Sequence, residues 1–334
     1  MAGTAARKIA VLGSNSFSGS DFVDLLLEDE RNTILGVSRS PEKSELFLPY
    51  LRHKSGRYRF EQADFNRDMD RLLTTLDDFA PDYIVNFAAQ SEVAPSWEHP
   101  DHWFETNTVA LARLINHIKA RPNLKRYVHI SSPEVYGPCE GTVLEDAPYN
   151  PSTPYAASKA AADLLLLAFS KNFPFPLVTV RATNVYGAHQ QLFKIIPRSA
   201  INIKLGKKIE LHGGGVAVKS YIHIRDVSRG ELAAMERGRV GEIYHFSPDR
   251  GYEVREVVSE IAQQMGFTLP EVSVNVAERL GQDKAYVIDS TKARTELGWA
   301  PIVSLQEGLR GVIEWVDRFW TQIQREPLDY VHKA

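Results

Sequence analysis

Lys8-Ile-Ala-Val-Leu12-Gly13-Ser-Asn15-Ser16-Phe17-Ser18-Gly19-Ser20-Asp-Phe22 is the stretch that decides the fold. The apolar run Ile9 to Leu12 reads as a buried strand, and it passes directly into a glycine turn and then a helix beginning near Ser20. Strand, glycine turn and helix N-terminus together make an anion site, because unpaired N–H groups and the helix dipole face one point. Gly13 permits the tight turn, and Gly19 lets the helix lie close to the strand. Ser16 stands where a middle glycine would fall, and its hydroxyl can donate to a phosphate.

Outward from this junction the pattern repeats. Ile34 to Val37, Tyr83 to Phe87, Tyr127 to Ile130 and Leu177 to Val180 read as further buried strands. Between them Phe22–Glu28, Met69–Asp78, Phe104–Lys119 and Tyr155–Ser170 carry apolar residues at helical spacing. Alternating strands and helices predict a doubly wound α/β fold with a parallel sheet (a Rossmann fold), whose ligands gather beyond the carboxyl ends of the strands. After Arg181 the rhythm loosens into Gly213-Gly-Gly215 and scattered prolines. Residues 1–181 therefore read as a dinucleotide-binding domain and 182–334 as a smaller mixed α/β substrate-binding domain. A segment at about 217–247 returns to the first. A length of 334 residues fits two such units.

Composition excludes several classes of function. With 43% apolar and 24% charged residues the chain has the balance of a globular protein. Its 39 basic and 42 acidic side chains leave a net charge of −3, so no overall field draws it to nucleic acid or an anionic membrane. Any anion must be met by a local cluster. One cysteine, Cys139, rules out an intrachain disulfide framework and a cysteine zinc site. The longest apolar run, Leu164 to Phe169, is too short to span a bilayer. The first strand starts by Lys8, which leaves no room for a secretory signal, so the expected location is the cytoplasm. His99-Pro-Asp-His102 has a metal-like interval but no carboxylate-rich surroundings and reads as a loop or helix cap; no metal is expected. Trp315, Phe319 and Trp320 read as core.

Other loops should collect at the same sheet edge: Asp64-Phe65, and Phe87-Ala88-Ala89 followed by Gln90-Ser91. The second strand ends Ser38-Arg39-Ser40. NAD binding normally places a carboxylate there to accept from the adenine ribose. An arginine instead can clamp a 2′-phosphate in a bidentate way, which favours NADP over NAD.

Tyr155 and Lys159 lie one turn apart on a strongly apolar helix that follows Asn150-Pro-Ser-Thr-Pro154, so they share a face. A free tyrosine titrates near ~10 and is a poor base at neutral pH. An ammonium alongside and the nearby helix N-terminus favour its phenolate. Such a phenolate can take a hydroxyl proton while hydride leaves the same carbon for a nicotinamide. Ser132, at the end of the preceding strand, can hydrogen-bond that hydroxyl.

These motifs, with Asn86-Phe-Ala-Ala-Gln-Ser91, Ser131-Ser-Pro-Glu-Val-Tyr-Gly137, Arg181-Ala-Thr-Asn-Val-Tyr-Gly187 and Arg279-Leu-Gly-Gln-Asp283, give the chain a resemblance along nearly its whole length. It resembles the extended short-chain dehydrogenase/reductases of the nucleotide-sugar epimerase/dehydratase group, and within it the 4,6-dehydratases of the dTDP-glucose and GDP-mannose types. The resemblance implies a nucleotide-diphosphate-hexose substrate, oxidation at C4, removal of the C5 proton by Glu134, loss of water from C6 and return of the hydride to C6. It also implies that Lys159 anchors the cofactor ribose, and that Ser91, Asn184, Lys194, Lys219 and Arg279 hold the substrate with Leu211 beside the base. Paired long helices in the family imply a homodimer. One departure stands out: the dTDP-glucose enzymes carry an aspartate acid directly before the glutamate, and this chain has Pro133. Glu134 would then have to return its proton to the leaving hydroxyl, alone or through water. Rival expectations are a 4-epimerase or decarboxylase of the same fold, and a cofactor-binding regulatory module without turnover.

Overall fold

The computed structural model describes residues 6–138, 141–277 and 288–332. Among them, seven parallel strands form one sheet in the order Ile243–Phe246, β6, β5, β4, β1, β2, β3. Here β1 is Arg7–Leu12, β2 Asn32–Ser38, β3 Tyr58–Gln62, β4 Tyr83–Asn86, β5 Arg126–Ile130 and β6 Leu177–Ala182. Strand order reverses between β1 and β4, and a doubly wound sheet opens its ligand crevice at that switch. The inner strands are apolar on both faces because helices cover both, and Ile9, Ala10, Val11 and Leu12 are all fully buried. On β3, at the outer edge, Arg59 and Glu61 replace that continuous apolar run.

One face of the sheet is covered by the helices Phe17–Leu27 and Ile224–Arg237, the other by Met69–Phe79, Leu111–Ile118 and Pro154–Asn172. The helix Ile224–Arg237 packs against the first helix, and Ile243–Phe246 pairs with β6. A separate apolar core joins the helices Ile195–Lys204, Val254–Gln264 and Leu305–Arg318, and Trp315 and Phe319 are buried in it. The helix read over Phe104–Lys119 is interrupted: Glu105–Ala110 forms a π-helical turn between Pro100–Phe104 and Leu111–Ile118. Such turns insert one residue and re-aim the side chains around them. No helix among the described residues is long and apolar enough to cross a membrane.

Candidate active site

Beyond the carboxyl ends of β1, β4, β5 and β6 lies a cleft of about 940 Å³. At its first edge, Gly13 has φ +84°, and a Cβ there would meet Ala88 N at 2.7 Å. A Cβ on Gly19 would sit 2.3 Å from the Gly13 carbonyl oxygen. Both positions therefore need glycine to bring the turn against the sheet. Ser16 caps the first helix, its Oγ accepting from the Gly19 N–H at 3.0 Å. Because the oxygen accepts, the hydroxyl hydrogen is left to donate outward, towards a phosphate. Asn15 is tied to the end of β2: its N–H donates to Ser38 Oγ at 2.9 Å and its side chain to the Ser40 carbonyl at 3.0 Å. The helix N-terminus at Phe17 and Ser18 and the cradle too tight for a Cβ fit a dinucleotide pyrophosphate.

The reacting end is built by β5 and the helix after it. Thr153 caps the helix Pro154–Asn172 through the Ala156 N–H, with Pro154 in the first turn. Tyr155 and Lys159 thus come to the mouth of β5, both less than a tenth exposed. Lys159 Nζ donates to the Ile130 carbonyl at 2.7 Å, and burial pulls its ammonium down to about 8, partly opposed by Asp163. Burial pushes the Tyr155 phenol up, and the Glu134 and Glu92 carboxylates add to that, while the Ser132 hydroxyl opposes it. Without ligand the phenol keeps its proton. Ser132 also starts the turn Pro133–Tyr136, accepting from the Glu134 N–H at 3.2 Å. That turn sets Glu134, half-buried, in the same wall as Ser132, Tyr155 and Lys159.

Behind the turn lies a buried polar network. Arg181 is fully buried and donates to Asp163 at 2.7 Å, to Tyr149 at 2.6 Å and to the Tyr136 hydroxyl. Ser131 donates to Asp163 at 2.6 Å, and Tyr136 shares a proton with His245 at 2.8 Å. Tyr136 is two residues from Glu134, so this network fixes the turn that carries the carboxylate. Asn107, on the π-helical turn, accepts from the Gln90 N–H at 2.8 Å and donates to Ser158 Oγ at 2.9 Å, clamping the loop after β4 to the Tyr155 helix.

Part of the cleft wall is cationic. Lys194, Lys219, Asn184 and Ser91 border it, and Arg198, Lys207 and Lys208 join them. Lys194 is bound across the cleft to Glu92, at 2.8 Å. Ser16, Phe17, Ser18, Phe87 and Ala89 line the cofactor side. Gly13, Asn15, Gly19, Ser38, Arg39, Asp64, Phe65 and Ala88 stand at the same sheet edge outside this cavity wall. Phe65 is packed in the core against the helix Met69–Phe79, and Asp64 accepts from the Asn66 N–H. Of the stretch Ile209 to Leu211, expected beside the base, Ile209 and Glu210 line the cavity, whereas Leu211 is buried in the second core and is not part of the wall. Arg279 and Cys139 lie outside the described residues. Leu328, Asp329 and Tyr330 also form wall. They are held by Arg198, which reaches the Leu328 carbonyl and Asp329, and by His332, stacked on His99, His102 and Trp103. Nothing in the local pattern of these last residues signals a site.

A parallel sheet with a glycine-turn anion site, and a serine, tyrosine and lysine at its reacting end, define an extended short-chain dehydrogenase/reductase. Residues 11–312 match the family model for GDP-mannose 4,6-dehydratase, and the chain belongs to that family. It is 33% identical to a dTDP-glucose 4,6-dehydratase of Streptomyces niveus, covering 96% of each chain. Among solved structures it resembles the dTDP-glucose 4,6-dehydratase of Streptomyces venezuelae with NAD bound. There the TM-score is 0.86 and the identity 30%, over 94% of this chain and 98% of that one. It also resembles a UDP-glucuronic acid 4-epimerase of Bacillus cereus in complex with UDP-glucuronic acid and NAD, with TM-score 0.85 and 25% identity over 93% and 99% of the two chains.

Proposed function

We propose that this protein is a nucleotide-diphosphate-hexose 4,6-dehydratase, converting its substrate to the 4-keto-6-deoxy sugar nucleotide. The observation that carries the reading is Glu134, set by a buried network into the wall that holds Tyr155, Ser132 and Lys159. The nicotinamide dinucleotide, when bound, accepts hydride from C4 and returns it to C6. Tyr155 takes the C4 hydroxyl proton, while Lys159 supplies the positive charge that favours its phenolate and anchors the cofactor ribose, and Ser132 aligns the hydroxyl. Once C4 is a ketone the C5 hydrogen is acidic, and Glu134 removes it so that water can leave from C6. The cationic part of the wall, with Lys194, Lys219 and Asn184, holds the diphosphate, and Arg279 joins them by its place in the family pattern. A neutral-to-acidic chain meets two phosphates only through such a cluster.

Structural relatives hold NAD. In this chain the end of β2 offers Arg39 and no carboxylate, which favours a 2′-phosphate and hence NADP. Arg39→Ala should weaken NADP binding about tenfold, the value of one charge-assisted hydrogen bond, and leave NAD binding unchanged. Titration with both oxidised cofactors reads this, and equal losses for the two would assign NAD. Phe104, Val109, Leu164 and Leu167 are exposed on the helices flanking the site, which supports a homodimer through that face.

Incubation with dTDP-glucose, GDP-mannose and related nucleotide hexoses, followed by mass spectrometry, tests the reading. Loss of water supports it. Epimerised product of unchanged mass, or loss of carbon dioxide, would make the protein a 4-epimerase or a decarboxylase, and tight cofactor binding with no product would make it a regulatory module.

A further inference from the structure

Elimination of water from C6 needs two proton transfers: a base takes the C5 hydrogen, and an acid protonates the departing hydroxyl, which is otherwise a poor leaving group. Position 133, directly before the base, is proline and can donate nothing. The cavity wall nevertheless holds a second carboxyl at the reacting end. Glu92, two residues past Gln90 in the loop after β4, borders the same space as Ser132, Glu134 and Tyr155. Its carboxylate and that of Glu134 both raise the Tyr155 phenol, so the charge of each is felt at the reacting end.

We propose that Glu92 is the acid that protonates the C6 hydroxyl, in place of the residue missing at Pro133; this rests on the dehydratase reading. In the free protein Lys194 holds Glu92 at 2.8 Å and 3.0 Å. Lys194 also faces the diphosphate site. An incoming diphosphate competes for that ammonium, releases Glu92 from it and adds negative charge beside the carboxylate. Loss of a cationic partner and gain of nearby negative charge both favour the protonated form of a carboxyl group. The pair thus makes the acid available only when substrate is present.

The proton count closes. The C4 hydroxyl proton passes to Tyr155 and then to solvent. Glu134 takes the C5 proton as the C5–C6 double bond forms and the C6–O bond breaks. Glu92 gives its proton to the departing oxygen, so water leaves, and Glu92 regains a proton from solvent. Hydride then enters C6, and Glu134 returns its proton to C5.

Glu92→Gln with the hexose nucleotide that the wild-type protein dehydrates, and with its 6-deoxy-6-fluoro analogue, is the test. A fluoride leaves without needing a full proton, so it separates acid catalysis from a positioning effect. The variant should lose about 10²-fold or more in water elimination, the usual worth of a general acid. It should keep exchange of the C5 hydrogen with deuterated solvent, and eliminate fluoride at the wild-type rate. Exchange and fluoride loss also certify that the variant is folded and binds cofactor. Unchanged water elimination would assign both transfers to Glu134, and equal losses on the two substrates would make Glu92 a positioning residue; either overturns the proposal while the dehydratase reading stands. A wild-type protein that eliminates from no hexose nucleotide would overturn both.

Discussion

Two ion pairs stand beside the reacting end, and their surroundings are opposite. Arg181–Asp163, at 2.7 Å, has side chains 0% and 2% exposed and is wrapped by Ser131, Tyr136 and Tyr149. Lys194–Glu92, at 2.8 Å, joins side chains 38% and 21% exposed and bridges the cleft itself. Removing one partner of a buried pair strands a charge and costs roughly 3–5 kcal/mol. An exposed pair contributes about 0–1 kcal/mol, because water and salt replace either partner. The first pair is scaffold and the second is exchangeable, and the difference separates what holds the catalytic turn from what a ligand can displace.

Glu134, on the cavity wall, should show the largest effect. Glu134→Gln keeps the shape of the turn and removes the base, so dehydration should fall by about 10²–10⁴-fold with an unchanged melting curve. Full turnover, measured by product mass, would remove Glu134 from the chemistry and leave the scaffold pair with nothing to hold. Asp163→Asn attacks the scaffold: denaturant unfolding should show a loss of about 3–5 kcal/mol, and dehydration should fall with it. A variant as stable as wild type would break the contrast between the pairs.

The same network sharpens the contrast through pH. His129 is buried beside Asp163, and burial, reinforced by Lys159, pulls its imidazole down to about 4. His245, bonded to Tyr136, is pulled down to about 3 by burial and the Arg181 charge. Between these values and the unfolded value of about 6.5, the unfolded chain binds more protons than the folded one. Stability should therefore fall as pH drops from about 6.5 towards 4. Melting temperatures across that window check this, and His129→Leu should flatten the dependence.

Lys194→Met should show the smallest change in stability, under about 1 kcal/mol, since only the exposed pair is broken. Substrate affinity should weaken and lose much of its salt dependence, seen by titration at two ionic strengths. A stability loss as large as that of Asp163→Asn would place both pairs in the scaffold.

Much of the fold and of the reacting end is legible in the order of amino acids. The β-branched runs, the glycine turn and the Tyr155/Lys159 interval are local patterns, and each appears in the molecule where its period puts it. Asn107 is hidden because a π-helical turn interrupts an otherwise regular helical pattern. Leu211 is misplaced because the sequence does not show where along the strand the second core closes over it: Ile209, on the same face, still reaches the cavity. Arg198 and Tyr330 carry no local signal at all: each is one charged or aromatic residue in an ordinary stretch, brought to the cleft from a distant part of the chain.

The amino-acid order by itself determined the parallel sheet, the anion turn and the residue types at the reacting end, since strand and helix periods and glycine's freedom act over a few residues. Only tertiary packing decided which charges are buried and which are wet, and so which ion pair is fixed and which can exchange. A side chain's dielectric surroundings come from residues far away in sequence, and those surroundings determine what its charge can do.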